Sequence, residues 1–182
     1  PKYAHIPLIH GPDGAKLSKR HGALGVEAYK DMGYIPDGLK NYLLRLGWSH
    51  GDDEFIPTDK AVDWFDLSGI NKGASRMDFE KLAFINGEHL HRLDDATALD
   101  LLLENAQKEQ TLSDAAKSRI EAAVAVLKTR GQTIPEITSA SQFLIVERPI
   151  DINSKARKKL KPQALEILGD LRNALNDEET WT

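Results

Sequence analysis

Residues 34–47, with the sequence YIPDGLKNYLLRLG, contain the pattern that decides the fold. Their apolar side chains recur at i, i+3, i+4 and i+7, which is the spacing of one face of a helix. Proline is favoured in the first turn of a helix and glycine just beyond its end. The stretch therefore predicts an amphipathic helix that begins at Pro36 and stops at Gly47. Its apolar face consists of Leu39, Tyr42, Leu43 and Leu46.

The same helical spacing continues towards the C-terminus of the sequence. Asn86 and Gly87 are predicted to end the helix that Asp78 begins, because an Asn-Gly pair is typical of a helix end. The predicted helix starts are the N-caps Thr58 and Asp78, followed by Asp94 or Asp95, Ser113 and Pro162. In the last helix, the side chains predicted to face inward are Ala164, Leu168, Leu171 and Leu175.

The first residues of the chain predict strand instead. Residues 4–10 form a short apolar run, and the GPDG that follows at 11–14 is a turn sequence. A brief return at 15–17 would close a hairpin. The sequence thus predicts a mainly α-helical fold with a short N-terminal β-hairpin. It also predicts two parts, a hairpin with a helical domain at 1–93 and a second helical subdomain at 94–182.

Composition excludes several classes of protein. The 182 residues allow one domain or two small ones, and 41% hydrophobic with 29% charged residues is a globular balance. A net charge of −4 excludes a uniformly basic nucleic-acid binder, although not a local basic surface. The lack of cysteine excludes disulfides and Cys-ligated zinc and favours a reducing compartment. No apolar stretch approaches the about 20 residues of a membrane span, so no membrane partner is expected.

The segment GAKLSKRHG at 14–22 concentrates groups that could bind phosphate. Three cations and a hydroxyl lie within residues 16–20, which we call the basic loop. Glycine lets a backbone approach a ligand closely, and ammonium groups three residues apart can reach different oxygens of one polyphosphate. The residue order of a Walker A loop is missing. From the residues alone, a solvated basic surface and a phosphate site are equally supported.

The basic loop resembles the K-M-S-K-S signature of class I aminoacyl-tRNA synthetases. Its form, K-L-S-K-R followed by H-G, is the one common in the glutamyl-tRNA synthetase family. Further motifs resemble that family in the same order along the chain. They are YIPDGLKNYL at 34–43, LGWSHG at 46–51, FDL at 65–67 and RMDFEKL at 76–82. The resemblance is dense over residues 1–93 and diffuse beyond them.

This resemblance implies an enzyme that activates glutamate with ATP and transfers it to the 3′ end of tRNA. Negative charge develops on the phosphates in the first step, and a positioned cation stabilises it. Lys19 matches the family's catalytic lysine and would contact ATP, with Lys16 as a supporting cation. Ser18 would hydrogen-bond phosphate, Leu17 would anchor the loop, and Arg20 replaces the serine of the generic motif. Mg²⁺ is expected only as the counter-ion of ATP, with no metal site in this chain.

The sequence does not show the family's H-I-G-H signature, its nucleotide-binding α/β core or its glutamate pocket. We therefore expect a C-terminal portion of a longer cytoplasmic enzyme, inactive alone, that meets glutamate and ATP only together with the N-terminal domain. The expected macromolecular partner is tRNA(Glu). The alternative is a non-catalytic RNA-binding helical module that kept the loop.

Cations elsewhere in the chain are candidates for RNA contact. Arg76 matches the arginine of the family's A-R-F-D motif, and a structural role and an RNA contact are equally supported. In related enzymes an arginine before an element similar to TIPEI (133–137) reads the third anticodon base, which makes Arg130 a candidate; the alternative is an exposed helix-end arginine. Residues 155–161, which we call the basic segment, would either contact RNA phosphates or form a solvated face. Its cations are Lys155, Arg157, Lys158, Lys159 and Lys161.

Overall fold

The structure, a computed structural model, describes residues 3, 5–17, 25–147, 150 and 152–176. Helices dominate these residues, so the predicted mainly α-helical class is confirmed. Within them, no helix combines the length and the apolar character needed to cross a membrane. The helices are α1 (Val26–Asp31), α2 (Pro36–Gly47), α3 (Thr58–Trp64), α4 (Phe79–His91), α5 (Asp95–Glu109), α6 (Asp114–Leu127), α7 (Ile134–Ala140), α8 (Gln142–Ile145), α9 (Ser154–Arg157) and α10 (Pro162–Asn176), with a 3₁₀ turn at Leu67–Gly69.

Two short strands, β1 (Ile9–His10) and β2 (Ser75–Arg76), form a parallel pair. The predicted hairpin is present beside them as one antiparallel bridge between His10 and Lys16. The backbone N–H of Leu17 donates to the Ile9 carbonyl at 2.9 Å. The chain therefore turns back where the sequence predicts it, but the regular partner of β1 is a strand that follows much later in the chain.

Helix α2 has the predicted bounds and buries its apolar face against α4. Leu39 and Tyr42 of α2 share a core with Leu82 and Ile85 of α4. A Cβ atom at Gly38 would lie 2.5 Å from the side-chain oxygen of Asn86 in α4, so only glycine permits this close approach.

The predicted end of α4 at Asn86 and Gly87 is wrong, because the helix continues to His91. Asn86 is fully buried and accepts a hydrogen bond from the Ile35 N–H at 2.8 Å. Its amide also donates to the Gln132 carbonyl at 2.6 Å. These tertiary bonds satisfy a polar side chain inside a helix, where its local preference alone would favour a helix end.

Three predicted helix starts are confirmed by their capping hydrogen bonds. In each, the N-cap side chain accepts a bond from the backbone N–H three residues later, which satisfies a donor that the helix leaves free. These N-caps are Asp78 before α4, Asp94 before α5 and Ser113 before α6. The prediction that Thr58 caps α3 is wrong, because Pro57 occupies the N-cap and the Thr58 hydroxyl donates to the Asp37 carboxylate at 3.0 Å.

A second core lies among helices α5 to α8. Ile35 and Leu90, which precede these helices in the chain, are part of it. The other buried members of this core are Ala98, Leu102, Ala106, Leu112, Ile120, Val124, Leu127, Ile134, Ile137 and Ile145. The division of the chain into two parts at residues 93 and 94 stays a prediction.

By its internal contacts the chain divides into two units, Pro1–Val146 and Glu147–Thr182. The first contains both cores and the strands, and the second contains α9 and α10. Helix α10 begins at Pro162, as predicted. The prediction that its leucines face inward is wrong, because Leu168, Leu171 and Leu175 are exposed. Helical spacing fixes which side of α10 is apolar, but it does not supply a surface that covers this side.

Candidate functional site

Backbone hydrogen bonds hold the hairpin that leads into the basic loop. The Gly14 N–H donates to the Gly11 carbonyl at 2.9 Å, and the Gly11 N–H donates to the Ala15 carbonyl at 2.8 Å. Gly14 has φ +80°, a backbone conformation that favours glycine. The turn therefore depends on this residue type at this position.

The described part of the basic loop contains its first two residues. Lys16 is exposed beside the hairpin, and Leu17 is half-buried with its N–H bonded to β1. An exposed ammonium at the end of a fixed hairpin is suited to an anionic ligand, and the partial burial of Leu17 suits the predicted anchoring role. Ser18, Lys19 and Arg20 lie outside the described residues, so their roles stay predictions.

Arg76 lies against this hairpin, although sequence reasoning placed it only near a helix start. It is in β2 opposite His10, and its Nε–H donates to the Gly11 carbonyl at 3.3 Å. One of its terminal nitrogens would be 3.0 Å from a Cβ atom built at Gly14. The structure thus brings Arg76 against the turn that precedes the basic loop. No local sequence signal predicts this contact, because the two segments meet only through the parallel strand pair.

Arg130 is exposed just beyond α6, and its backbone N–H donates to the Leu127 carbonyl at 2.8 Å. The residues after it are fixed more firmly. The Gln132 N–H donates to the Glu136 carboxylate at 2.8 Å, and the Gln132 carbonyl accepts the amide of Asn86 at 2.6 Å. Arg130 therefore projects from an anchored segment, which suits a residue that must meet a partner in one geometry. Its base-reading role stays a prediction.

Asn86 is a residue that sequence reasoning read as a helix end and that instead positions this segment. Its side chain joins the start of α2, through Ile35, to Gln132. Nearby, Gly33 has φ +84°, and a Cβ atom there would lie 2.1 Å from a ring carbon of Pro135. The only available signal was an asparagine inside an apolar helical pattern, which predicts neither partner.

A second buried polar cluster fixes α2 against α4. The Asn41 side-chain oxygen accepts from the Ile56 N–H at 2.8 Å and lies 2.9 Å from His89 Nε2. The Asn41 amide donates to the Glu54 carbonyl at 3.1 Å, so its oxygen is the acceptor and His89 must carry its proton on Nε2. Burial lowers the pKa of His89, and the positive charge of Arg92 lowers it further while Asp37 opposes this. His89 is therefore neutral and structural.

Residues 155–159 of the basic segment lie in one exposed helical turn of the second unit. Asn153 caps α9 by accepting a hydrogen bond from the Ala156 N–H at 2.8 Å. The turn continues beyond α9, because the Lys158 N–H donates to the Ser154 carbonyl at 3.2 Å. Four of the five cations lie in this turn, and Lys161 lies just before α10. All five are exposed, so several of them could contact phosphates of an RNA strand. They are Lys155, Arg157, Lys158, Lys159 and Lys161.

In the part of the chain that the structure describes, no group of three or more His, Asp or Glu side chains is arranged to hold a metal ion.

Comparison with known proteins identifies two family segments in the chain. Residues 1–84 match the catalytic domain of class I tRNA synthetases (E and Q), and residues 88–182 match an anticodon binding domain. The anticodon-domain match alone covers more than half of the chain. A piece of a class I synthetase catalytic domain followed by an anticodon-binding domain defines the class of protein.

The relatives narrow this class. The chain is 48% identical over 184 residues to glutamate–tRNA ligase 2 of Rhodospirillum centenum and 50% identical over 188 residues to glutamate–tRNA ligase 2 of Maricaulis maris. A crystal structure of a glutamate tRNA ligase from Elizabethkingia meningosepticum, in complex with its amino acid, aligns with 98% of this chain at a TM-score of 0.77 and 25% identity. The chain belongs to the anticodon-binding-domain family, and the predicted resemblance to glutamyl-tRNA synthetases is confirmed.

The matched region is a part of these relatives. All of this chain aligns, but it spans 39% of the length of each of the two ligases. It likewise covers 39% of the Elizabethkingia meningosepticum chain.

Proposed function

We propose that this chain is the part of a glutamate–tRNA ligase that supplies the ATP loop and the surfaces for the tRNA stem and anticodon arm. The observation that carries the proposal is the exposed Lys16 on a fixed hairpin, at the start of K-L-S-K-R, in a chain that continues into an anticodon-binding domain. The expected substrates of the whole enzyme are ATP, with Mg²⁺ as its counter-ion, glutamate and tRNA(Glu).

In the first step, a glutamate carboxylate oxygen attacks the α-phosphate of ATP, and pyrophosphate leaves. Charge builds on the transferred phosphate and on the leaving group, so a cation fixed near both lowers the barrier. Lys19 supplies this cation and Lys16 supports it. Ser18 donates a hydrogen bond to a phosphate oxygen, Leu17 anchors the loop and Arg20 flanks the phosphates.

In the second step, a ribose hydroxyl at the 3′ end of tRNA attacks the glutamyl carbonyl of the adenylate. The hydroxyl loses its proton, an ester bond forms, and AMP leaves. For the 3′ end to reach the adenylate, the rest of the tRNA must be bound by surfaces that lie far from the reacting centre. The proposed contacts are Arg130 at the third anticodon base and the basic segment at backbone phosphates, while an RNA contact by Arg76 stays a prediction. Support comes from the exposure of these cations and from the anticodon-domain match.

The chain alone should not aminoacylate tRNA. The sheet among its described residues has two short strands, too little to form the nucleotide-binding α/β core that the family uses. We expect the isolated chain to bind tRNA without detectable affinity for glutamate, and we expect the whole ligase to act in the cytoplasm.

The experiment that tests the catalytic proposal is Lys19→Ala in a glutamate–tRNA ligase that contains these 182 residues. Loss of one charge-stabilising group should slow ATP–pyrophosphate exchange by about 10²–10³-fold, with little change in glutamate or tRNA affinity. Lys60→Ala, which removes an exposed lysine from α3, is the control. An exchange rate within a few-fold of the parent would refute the role of Lys19 and favour a non-catalytic RNA-binding module.

A further inference from the structure

Arg76 has contacts that an RNA-binding arginine would not need. We propose that Arg76 is a positioning residue for the basic loop, holding the turn at residues 11–14 and thereby the place of Lys16. This role rests on the proposed function, because it matters only if the basic loop binds ATP. It differs from the RNA contact that the family motif suggests, and the two roles can be separated experimentally.

The Gly11 carbonyl accepts two hydrogen bonds. The Gly11 carbonyl accepts the Gly14 N–H at 2.9 Å, the hydrogen bond that closes the turn. The same carbonyl accepts the Arg76 Nε–H at 3.3 Å. A carbonyl oxygen has two lone pairs and can accept both bonds at once. Arg76 therefore fixes the orientation of the peptide group on which the turn depends.

The guanidinium of Arg76 also lies beside Gly14. Gly14 has φ +80°, and a Cβ atom there would lie 3.0 Å from a terminal nitrogen of Arg76. The guanidinium thus occupies the space into which a side chain at Gly14 would point. A glycine at this position allows both the left-handed conformation and the approach of the arginine.

The residues next to Arg76 in the chain are held by hydrogen bonds. The Met77 N–H donates to the His10 carbonyl at 2.8 Å, and the Ser75 hydroxyl donates to the Leu46 carbonyl at the end of α2. The Asp78 N–H donates to the Tyr42 hydroxyl at 2.6 Å. Residues on both sides of Arg76 are therefore bonded to β1 or α2, and the hairpin is tied to the helices.

The position of Lys16 depends on this turn. Lys16 pairs with His10 across the hairpin, and Leu17 N–H donates to Ile9 at 2.9 Å. A shift of the turn would move the residues that follow it, including Lys16. A cation displaced by about 1 Å from developing charge loses much of its catalytic effect. Arg76 would thus affect the adenylation rate without touching ATP.

Arg76→Lys separates the two roles. Lysine keeps the positive charge, so it should preserve most of a contact to an RNA phosphate. It lacks the planar guanidinium and its Nε–H, so it should not hold the turn. Lys72→Ala is the matched control, because it removes an exposed cation four residues before Arg76.

The first measurement is amide hydrogen exchange in the 182-residue chain, which needs no activity. Arg76→Ala and Arg76→Lys should each raise the exchange rates of the Gly14 and Leu17 amides about tenfold, the effect of weakening one hydrogen bond. The amide of Leu82, in the core of α4, should exchange as in the parent, which shows that the fold persists. Lys72→Ala should change none of these rates.

The second measurement is ATP–pyrophosphate exchange in a ligase that contains this chain. Both Arg76 variants should lower kcat about tenfold, with the KM for glutamate and the Kd for tRNA within about twofold of the parent. Unchanged Leu17 exchange in Arg76→Ala would overturn the positioning role. So would lower tRNA affinity in Arg76→Ala that Arg76→Lys restores, because that result assigns an RNA contact.

The failure of this inference is distinguishable from that of the proposed function. If Lys19→Ala slows ATP–pyrophosphate exchange and Arg76→Ala does not, the positioning role alone is overturned. If Lys19→Ala has no effect, the ATP loop itself is refuted, and with it the functional consequence proposed for Arg76.

Discussion

Asn86→Ala tests the link between the helices that precede residue 93 and the segment that carries Arg130. The Asn86 side chain is fully buried and makes two hydrogen bonds, one from the Ile35 N–H at 2.8 Å and one to the Gln132 carbonyl at 2.6 Å. Alanine would remove both bonds and leave a buried donor and a buried acceptor without their partner.

The magnitude follows from these two groups. An unsatisfied buried polar group costs about 1–3 kcal/mol, so the pair gives a loss of about 2–6 kcal/mol in the free energy of unfolding. Relaxation and water entry into the vacated volume reduce this, and we expect about 3 kcal/mol. Such a loss is a large part of the stability of an ordinary domain, about 5–15 kcal/mol.

The assay is urea unfolding of the 182-residue chain, followed by circular dichroism at the helix signal. Asn71→Ala is the control, because Asn71 is exposed and its backbone, rather than its side chain, bonds to Gly47. Asn86→Ala should lower the unfolding free energy by about 3 kcal/mol, and Asn71→Ala by less than about 0.5 kcal/mol. A loss below about 1 kcal/mol in Asn86→Ala would refute the reasoning that these bonds tie the two segments together.

Two further predictions concern pH and base recognition. Burial lowers the pKa of His89 below its usual 6.5. As the pH falls, the unfolded chain therefore binds a proton at this histidine before the folded chain does. The stability that neutral His89 contributes is complete above about pH 6.5 and is lost as the pH falls towards the folded-state pKa. Urea midpoints at about pH 7.5 and 5.5 should therefore differ less in His89→Gln than in the parent, and an equal difference would contradict this. Arg130→Gln should change the relative affinity for tRNAs that differ in the last anticodon base by about 1–3 kcal/mol in filter binding, whereas an equal shift for both tRNAs would leave Arg130 as an exposed helix-end arginine.

Local sequence signals predicted the parts of the fold that local physics decides. The bounds of α2 follow from Pro36, Gly47 and an apolar stripe, and the N-caps Asp94 and Ser113 follow from side-chain oxygens that satisfy free backbone N–H groups. These interactions span a few residues, so the sequence displays them directly.

Long-range contacts account for what the sequence could not show. The local preference of Asn86 favours a helix end, but partners at Ile35 and Gln132 keep it within α4. The contact of Arg76 with Gly11 depends on a parallel strand pair that neither segment predicts alone. For α10, the leucines predicted to face inward are exposed, because amphipathic spacing does not specify a partner.

In the candidate site, too, some residues could be predicted from the sequence and others could not. The cations of the basic loop and the basic segment are visible in the sequence because they lie in short runs. The residues that hold such cations in place are single polar side chains. Their role can be recognised only in the structure, where distant segments of the chain come into contact. The motif therefore predicted which residues carry charge, and the structure shows for Lys16 and Arg130 what the adjoining backbone is bonded to.

The central claim is that this chain binds tRNA through local cationic surfaces despite its net charge of −4. The most direct measurement is filter binding of the 182-residue chain to tRNA(Glu) at two salt concentrations, for the parent and for the triple variant Lys158→Ala, Lys159→Ala and Lys161→Ala. The matched control removes three exposed lysines elsewhere, Lys60, Lys72 and Lys108.

The parent should bind tRNA with an affinity that falls with salt, by about 0.7–0.9 log units per log unit of salt for each neutralised phosphate. The triple variant in the basic segment should bind all tRNAs more weakly and with a flatter salt slope, while the control keeps the slope of the parent. Equal effects of the two triple variants, or binding that does not respond to salt, would contradict the claim.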